Sequence, residues 1–380
     1  MTNLIQNLPE KIVRISVTND LVTDKRVDKT AKTLSRLGFK VVLIGRKKKD
    51  SSLLSTRLYS TQRFSLPFEK GPLFYACYNI WLFIYLIFNK SHLLVANDLD
   101  TLPANYFIHL LKNIPLVYDS HEYFTGVPEL TSRPKVQRIW KIIERYIFPK
   151  LHDVITVNES IANLYSAEYG ILARVVRNVP ETITNPDIAD KVSLGISINK
   201  SIIILQGAGI NVDRGAEEAV LAMKYLDNVL LLIIGGGDVI DNLKVLIIEN
   251  QLGEKVQLIP KQPMNTLVLY TKCGDIGLTL DKDTNINYKF SLPNKLFDYI
   301  QAGIPILASA LPEIQKIVEG YQIGMITKSH DPKHIAECIQ KMLVEKNQID
   351  IWKENLKIAA RELCWENEEI VLREVYAKYL

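Results

Sequence analysis

The chain has 380 residues, 47% of them apolar and 23% charged, with a formal net charge of +4. That is enough apolar material for two domains of ordinary size, and so small a net charge gives no argument for nucleic-acid binding. The four cysteines, Cys77, Cys273, Cys338 and Cys364, show no metal-ligand or redox spacing, which excludes a disulfide framework and predicts a reducing, cytoplasmic setting.

In chain order, the opening MTNLIQNLPEK lacks the basic start and apolar core of a signal peptide, so the chain is expected to stay inside the cell. Short Val-, Ile- and Leu-rich runs then alternate with helical patterns, the signature of parallel sheets covered on both faces. Strands are predicted over 12–18, 40–45, 92–96, 115–119 and 153–157. Ligands of such sheets bind at the carboxyl ends of the strands, so the following loops are where chemistry is expected. Asn19, Asp24 and Arg26 follow the first strand, Asn97 and Asp98 the third, and His121 the fourth. His121 stands between Asp119 and Glu122. Such a histidine can be held in one tautomer for proton transfer or substrate hydrogen bonding, or be an ordinary loop residue satisfied by a neighbour.

Two features of this half invite a membrane reading. Arg46-Lys47-Lys48-Lys49 is a basic run that also fits a solvated loop. The nearly all-apolar segment 73–88 is too short to span a bilayer and carries Asn79 in its middle. It predicts a buried helix in preference to one lying at a membrane surface.

After Asn178 the pattern breaks into the polar, proline-containing NVPETITNPDIADKVSLGISINK, a linker that puts a domain boundary near 180. A second strand set is predicted over 201–206, 228–234, 255–259, 275–280 and 304–309. The organisation expected is α/β, with two tandem doubly wound Rossmann-like domains over 1–180 and 181–362 and an aromatic-rich helix over 363–380. Three loops of the second domain stand out. GAGINVDRG offers Gly207 and Gly209 for close backbone approach and Arg214 as a fixed charge; it reads as a diphosphate-binding turn or as a plain turn with a surface arginine. Gly235, Gly236 and Gly237 follow a buried strand and mark either a ligand lying flat against the turn or a tight turn alone. The long loop DKDTNINYKFS leads into a helix with Ser291 as its expected N-cap, Lys295 one turn in, Asp298 a turn further and Gly303 at its end. Lys295 and Asp298 can be a surface ion pair, or face a phosphate and a sugar hydroxyl pair. Asp98-Leu-Asp100 and Asp281-Lys-Asp283 both spell D-x-D, but no His or Cys cluster accompanies them and no metal site is predicted.

VTNDLVTDKRVDKTAKTLSRLGFKVVLIG, VANDLDTLPA, YDSHE, GAGINVDRG and LPNKLFDYIQAGIPILAS together resemble the GT-B glycosyltransferases, and within them the large retaining family four, group 1-like. The resemblance implies two facing Rossmann-like domains, the first for the acceptor and the second for a nucleotide-sugar, with a last helix crossing back onto the first domain. It implies His121, Arg214 and Lys295 as catalytic residues. Gly207, Gly209, Gly236, Asn287, Ser291, Asn294 and Asp298 are implied on the donor side, and Asn19, Asp24, Arg26 and Asn97 on the acceptor side. Arg214 matches the second basic residue of the family's phosphate-binding pair, whose first falls on Gly209. The family's paired glutamates fall on Ser291 and Asp298, and Lys295 can supply the missing charge. No cofactor or metal is implied. The donor would be a UDP-, GDP- or dTDP-sugar and the acceptor a glycan or lipid-linked glycan in polysaccharide biosynthesis, with peripheral contact at the inner face of the membrane. Two rivals share the form: a nucleotide-sugar 2-epimerase and a non-catalytic GT-B partner protein.

Overall fold

The computed structural model describes residues 10–22, 24–182 and 190–380. Nearly all of the opening stretch, Thr23 of the first loop and residues 183–189 of the linker lie outside the described residues. The chain divides into two compact units, Met1–Arg177 with Glu368–Leu380, and Asn178–Asn367.

The first unit holds β1 (Ile12–Asp20), β2 (Lys40–Lys47), β3 (Ser60–Ser65), β4 (Leu93–Asn97), β5 (Leu116–Asp119), β6 (Asp153–Thr156) and β7 (Ala173–Val175). They form one parallel sheet in the order β3-β2-β1-β4-β5-β6-β7. Its helices are α1 (Lys25–Arg36), α2 (Gly71–Phe88), α3 (Leu102–Lys112), α4 (Pro128–Thr131), α5 (Pro134–Ile147) and α6 (Glu159–Tyr169).

The second unit holds β8 (Ser201–Gly207), β9 (Val229–Gly235), β10 (Val256–Ile259), β11 (Ile276–Thr279), β12 (Ile306–Ser309) and β13 (Gly324–Thr327), parallel in the order β10-β9-β8-β11-β12-β13. Its helices are α7 (Ala216–Ala222), α8 (Ile240–Glu249), α9 (Met264–Lys272), α10 (Ile286–Lys289), α11 (Asn294–Ala302), α12 (Pro312–Gly320), α13 (Pro332–Val344) and α14 (Lys346–Glu362). The last helix, α15 (Trp365–Ala377), starts in this unit and runs into the first.

The unbroken apolar runs follow from burial on both faces. On one face of the second sheet Ile203, Leu205, Leu231 and Ile233 pack into one core. On the other, Ile202, Ile204, Leu230, Leu232 and Ile234 enter a second core with Phe297 and Tyr299 of α11. Each such side chain contributes about 1.5–3 kcal/mol when withdrawn from water. A Cβ on Gly277 would lie 2.5 Å from the Tyr299 ring, so the bare backbone of β11 lets that ring lie flat on the sheet.

Carboxylates anchor α15 in the first unit. Glu368, 3% exposed, accepts from both the backbone N–H and the guanidinium of Arg177 at 2.7 Å, and Glu369 accepts from Thr33 Oγ1 at 2.8 Å.

Three expectations need correction. β3, β7 and β13 are additional strands, all at sheet edges, where one side is open and no two-sided apolar run is needed. The loop 281–291 contains the short helix α10, capped by Asn285, whose Oδ1 accepts from Tyr288 N–H at 2.9 Å. The apolar segment 73–88 is not a buried helix: α2 buries only Phe74, Tyr78, Leu82 and Leu86. Its polar midpoint, Asn79, donates to Asp100 O and accepts from Ala104 N–H, so it ties α2 to the start of α3.

Candidate functional site

In the second unit a cluster of charge forms where β8 and β11 end. Asp281, two residues past β11 and fully buried, sits between two cations. Arg214 Nη1 donates to Asp281 Oδ1 at 2.7 Å, and Lys295 Nζ, on a side chain only 8% exposed, lies 3.1 Å from Oδ2. Thr279 Oγ1 donates to Oδ2 at 3.1 Å. Burial alone would raise the Asp281 carboxyl, but Lys295 and Arg214 outweigh it and hold the group below the ordinary carboxylate range. Two cations against one carboxylate leave a net positive charge. The Arg214 guanidinium also lies over the Tyr288 ring, 4.1 Å from its centroid, and its Nε is buried without a hydrogen-bond partner among the described residues.

Lys295 and Asp298 are thus not a surface ion pair. Lys295 turns to Asp281, and the half-buried Asp298 accepts from Gln206 Nε2 at 3.0 Å. Gln206, at the end of β8 and 2% exposed, is itself held by Thr271 Oγ1, which donates to its Oε1 at 2.7 Å. Ser291 is not the N-cap of α11. Pro293 occupies that position, and among the described residues no side chain caps the helix, so its first N–H groups offer a positive end. Ser291 lies too far upstream to cap it; its Oγ donates to Tyr288 O and closes α10 instead. Asn294 Oδ1 accepts from Asn178 Nδ2 at 3.1 Å, and Asn287 is half-buried within α10.

The glycines separate into two kinds. A Cβ on Gly235 would lie 1.9 Å from Gly207 O and one on Gly237 2.0 Å from Ile210 O, so chain packing alone requires both. A Cβ on Gly236 would meet nothing within 4 Å, and one on Gly207 nothing nearer than 3.9 Å, so these positions leave the backbone open to a ligand. Gly209 faces Asn211, 3.2 Å from where its Cβ would be.

In the first unit the ends of β4 and β5 and the loops after them converge on His121. Asp98, in the left-handed region at φ 57°, accepts from His121 N–H at 2.8 Å, and its Oδ2 lies 3.4 Å from His121 Nδ1. His121 Nε2 lies 3.1 Å from Asn97 Oδ1 and 3.8 Å from Asp119 Oδ2. Burial by itself would lower the imidazole pKa, yet Asp98 and Asp119 outweigh it and push it to about 9. So raised, the ring favours the imidazolium at neutral pH, which can donate a proton or a hydrogen bond but has no lone pair to accept one.

Two acceptor-side expectations fail on burial. Arg26, 5% exposed, donates to Asp119 Oδ1 at 2.7 Å and to Val176 O at 2.8 Å. Asn97, fully buried, donates to Ser16 O at 2.9 Å. Both support the His121 cluster from beneath and do not line a surface. Asp24 caps α1 by accepting from Val27 N–H, and Asn19 donates to it at 3.1 Å on the exposed rim. The D-x-D pairs point apart. Asp98 serves His121 while Asp100 accepts from Thr18 Oγ1, its carboxyl pushed up to about 7 by burial and by Asp98. Asp281 is buried while Asp283 is exposed beside Lys289.

Gln206 is the site residue that sequence reasoning missed, and Asp281 was noted only as half of a D-x-D pair. The usable signal was position, since each stands at or just past the carboxyl end of a strand.

Two family models divide the chain. Glycosyltransferase Family 4 matches residues 24–182, and Glycosyl transferases group 1 matches residues 191–359. The chain belongs to the group 1, family 4 glycosyltransferases. No curated protein matches it in sequence. Among solved structures, the sucrose-phosphate synthase of Thermosynechococcus elongatus is similar with a TM-score of 0.81 at 16% identity, covering 97% of this chain and 99% of that one. A glycosyltransferase from Rickettsia africae gives 0.74 at 13% identity, covering 98% and 99%. HepE of Anabaena, in complex with UDP-glucose, gives 0.74 at 14% identity, covering 97% and 99%. At such identities the likeness is one of fold, and the fold is GT-B.

For this glycosyltransferase the His121 cluster makes a testable statement about pH. Because the folded pKa stands above the ordinary 6.5, the cluster's stabilising effect is fully present below pH 6.5 and is lost as pH rises through about 9. The His121 ring protons followed by NMR are expected to titrate with a midpoint near 9. A midpoint at or below the unperturbed value of 6.5 would show that the carboxylates do not hold the charge.

Proposed function

We propose that this glycosyltransferase moves a sugar from a nucleoside-diphosphate sugar to a hydroxyl of a glycan or lipid-linked glycan, with retention of anomeric configuration and without a metal ion. The observation that carries the reading is the pair Arg214 and Lys295 on one buried carboxylate, with net positive charge, at the carboxyl ends of β8 and β11. HepE, with UDP-glucose bound, supports a nucleotide-sugar as donor.

The chemistry follows from the charges. The bond between the sugar C1 and the diphosphate oxygen breaks while the acceptor oxygen bonds C1 on the same face, and the acceptor proton passes to the departing diphosphate. Negative charge grows on that diphosphate. Arg214, Lys295 and the uncapped N-terminus of α11 stabilise it where a metal would otherwise act. Gly207 and Gly236 allow the backbone to approach the phosphates. Asp298, already oriented by Gln206, accepts from the ribose hydroxyls. In the first unit His121, held by Asp98 and Asp119, and the exposed Asn19, hydrogen-bonded to Asp24, offer polar groups to an acceptor. The setting is cytoplasmic assembly of a surface glycan.

Incubation with UDP-, GDP- and dTDP-sugars, with and without hydroxyl acceptors and with a chelator, tests the reading. It expects chelator-insensitive, acceptor-dependent release of nucleoside diphosphate and a product whose anomeric proton coupling matches the donor's. Turnover of the sugar without an acceptor would instead indicate an epimerase, and absence of any donor binding a non-catalytic partner protein.

A further inference from the structure

The first unit carries a surface that sugar transfer does not use. α2 is apolar around its whole circumference but buries one side only. Ile80, Trp81, Ile84 and Phe88 are exposed, Phe88 at 82%. α3 lies beside it, with Lys112 Nζ donating to Leu86 O at 2.9 Å, and leaves Phe107, Leu110 and Leu111 exposed at helical spacing. α5 joins both through the ring pairs Tyr75–Trp140, 5.3 Å between centroids, and Tyr106–Tyr146, 6.4 Å. Its outward face interleaves Ile139, Ile142 and Tyr146 with Lys135, Arg138 and Arg145, the last 4.0 Å from Glu168 of α6, and the same helix carries the partly exposed Lys141. The three helices hold one carboxylate, Glu144, and it is fully buried, accepting from Thr125 Oγ1 and Tyr169 OH.

We propose that α2, α3 and α5 form one docking surface for an anionic lipid bilayer. An apolar stripe with aromatic residues, next to cations and with no exposed carboxylate on its own three helices, is what lies at the boundary of headgroups and acyl chains. Charge selects this occupant over a second copy of the chain, because two such faces would set Lys135, Arg138 and Lys141 against the same cations with no exposed carboxylate on the three helices to pair them. α2 does not span the bilayer, since Tyr78, Leu82 and Leu86 are fully buried in the unit. The surface includes the apolar segment read in the sequence, and it moves the cationic part of the contact from Arg46–Lys49 to α5. It stands independently of the donor reading.

Co-sedimentation of the full chain with vesicles tests it. The vesicles are phosphatidylcholine alone or phosphatidylcholine with an equal part of phosphatidylglycerol, at low and raised salt. Binding is expected only with phosphatidylglycerol and weakens with salt. Trp81 is a built-in reporter, being 51% exposed while Trp140, Trp352 and Trp365 are buried. Its emission is expected to shift to the blue on binding, and Trp81→Phe removes the shift while the chain still sediments. The triple variant Lys135→Ala, Arg138→Ala, Lys141→Ala is expected to bind on the order of a hundredfold more weakly. An unchanged melting temperature shows that it is folded. Equal binding to neutral vesicles, or a folded triple variant that binds like the native chain, would overturn the proposal. So would a dimer in sedimentation that Ile84→Glu disperses, with no vesicle binding.

Discussion

Arg214→Ala is expected to lower kcat for sugar transfer by about a hundred- to a thousandfold, equivalent to about 2–4 kcal/mol of barrier. The size follows from the charge count. Asp281 is fully buried and held ionised, so it cancels one of the two cations beside it. With Arg214 and Lys295 both present the cluster is net positive toward a departing diphosphate; without Arg214 the remaining Lys295–Asp281 pair is neutral. Lys295→Ala leaves the neutral Arg214–Asp281 pair and is expected to cost a similar factor. Steady-state kinetics with saturating donor checks both. A variant with undiminished kcat would remove its residue from the machinery.

The second large effect is on stability. Asp119→Ala is expected to destabilise the first unit by about 3–5 kcal/mol, because it strands a buried cation. Arg26 and Asp119 are 5% and 0% exposed, and after the substitution Arg26 keeps, among the described residues, the carbonyl of Val176 alone. For a unit of this size the melting temperature is expected to fall on the order of 10 °C. The double variant Arg26→Met, Asp119→Ala is expected to recover part of the loss, since no uncompensated charge remains buried. Differential scanning calorimetry decides this, and a single variant within about 1 kcal/mol of the native protein would contradict it. The pH dependence has a definite sign. Burial alone would raise the Asp119 carboxyl, but Arg26 and His121 hold it below its ordinary 3.8, so its stabilising effect is present above that value and lost as pH falls below it. His121 acts in the opposite sense, so the two together place the plateau between about pH 4 and 6.5.

What was legible in the sequence was whatever one segment could decide alone. β8 and β9 bury both faces, so SIIILQ and NVLLLII read as strands without any partner. STQRFS of β3 buries only Phe64 and ARV of β7 buries nothing, so neither carries a pattern to read. α2 was misread because composition cannot show which sides of an apolar helix find a partner. At the candidate site, the strand-end rule located His121, Arg214, Lys295 and Asp298. It could not show that Arg26 and Asn97 turn inward, or that Ser291 closes α10 and leaves α11 uncapped. Ionisation was the least legible property. His121 is charged because Asp98, from a loop 23 residues away in sequence, reaches it with Asp119. Asp281 was seen only as half of a D-x-D pair, although it is the residue that holds Arg214 and Lys295 together.

Isothermal titration of the native chain and of folded Arg214→Ala with nucleoside-diphosphate sugars tests the central claim most directly. The claim is that Arg214, Lys295 and Asp281 form the diphosphate site. The account predicts saturable binding to the native chain and binding at least about tenfold weaker in the variant, the loss expected for one charged hydrogen-bond donor. Equal affinity of the two proteins for the same donor would contradict it.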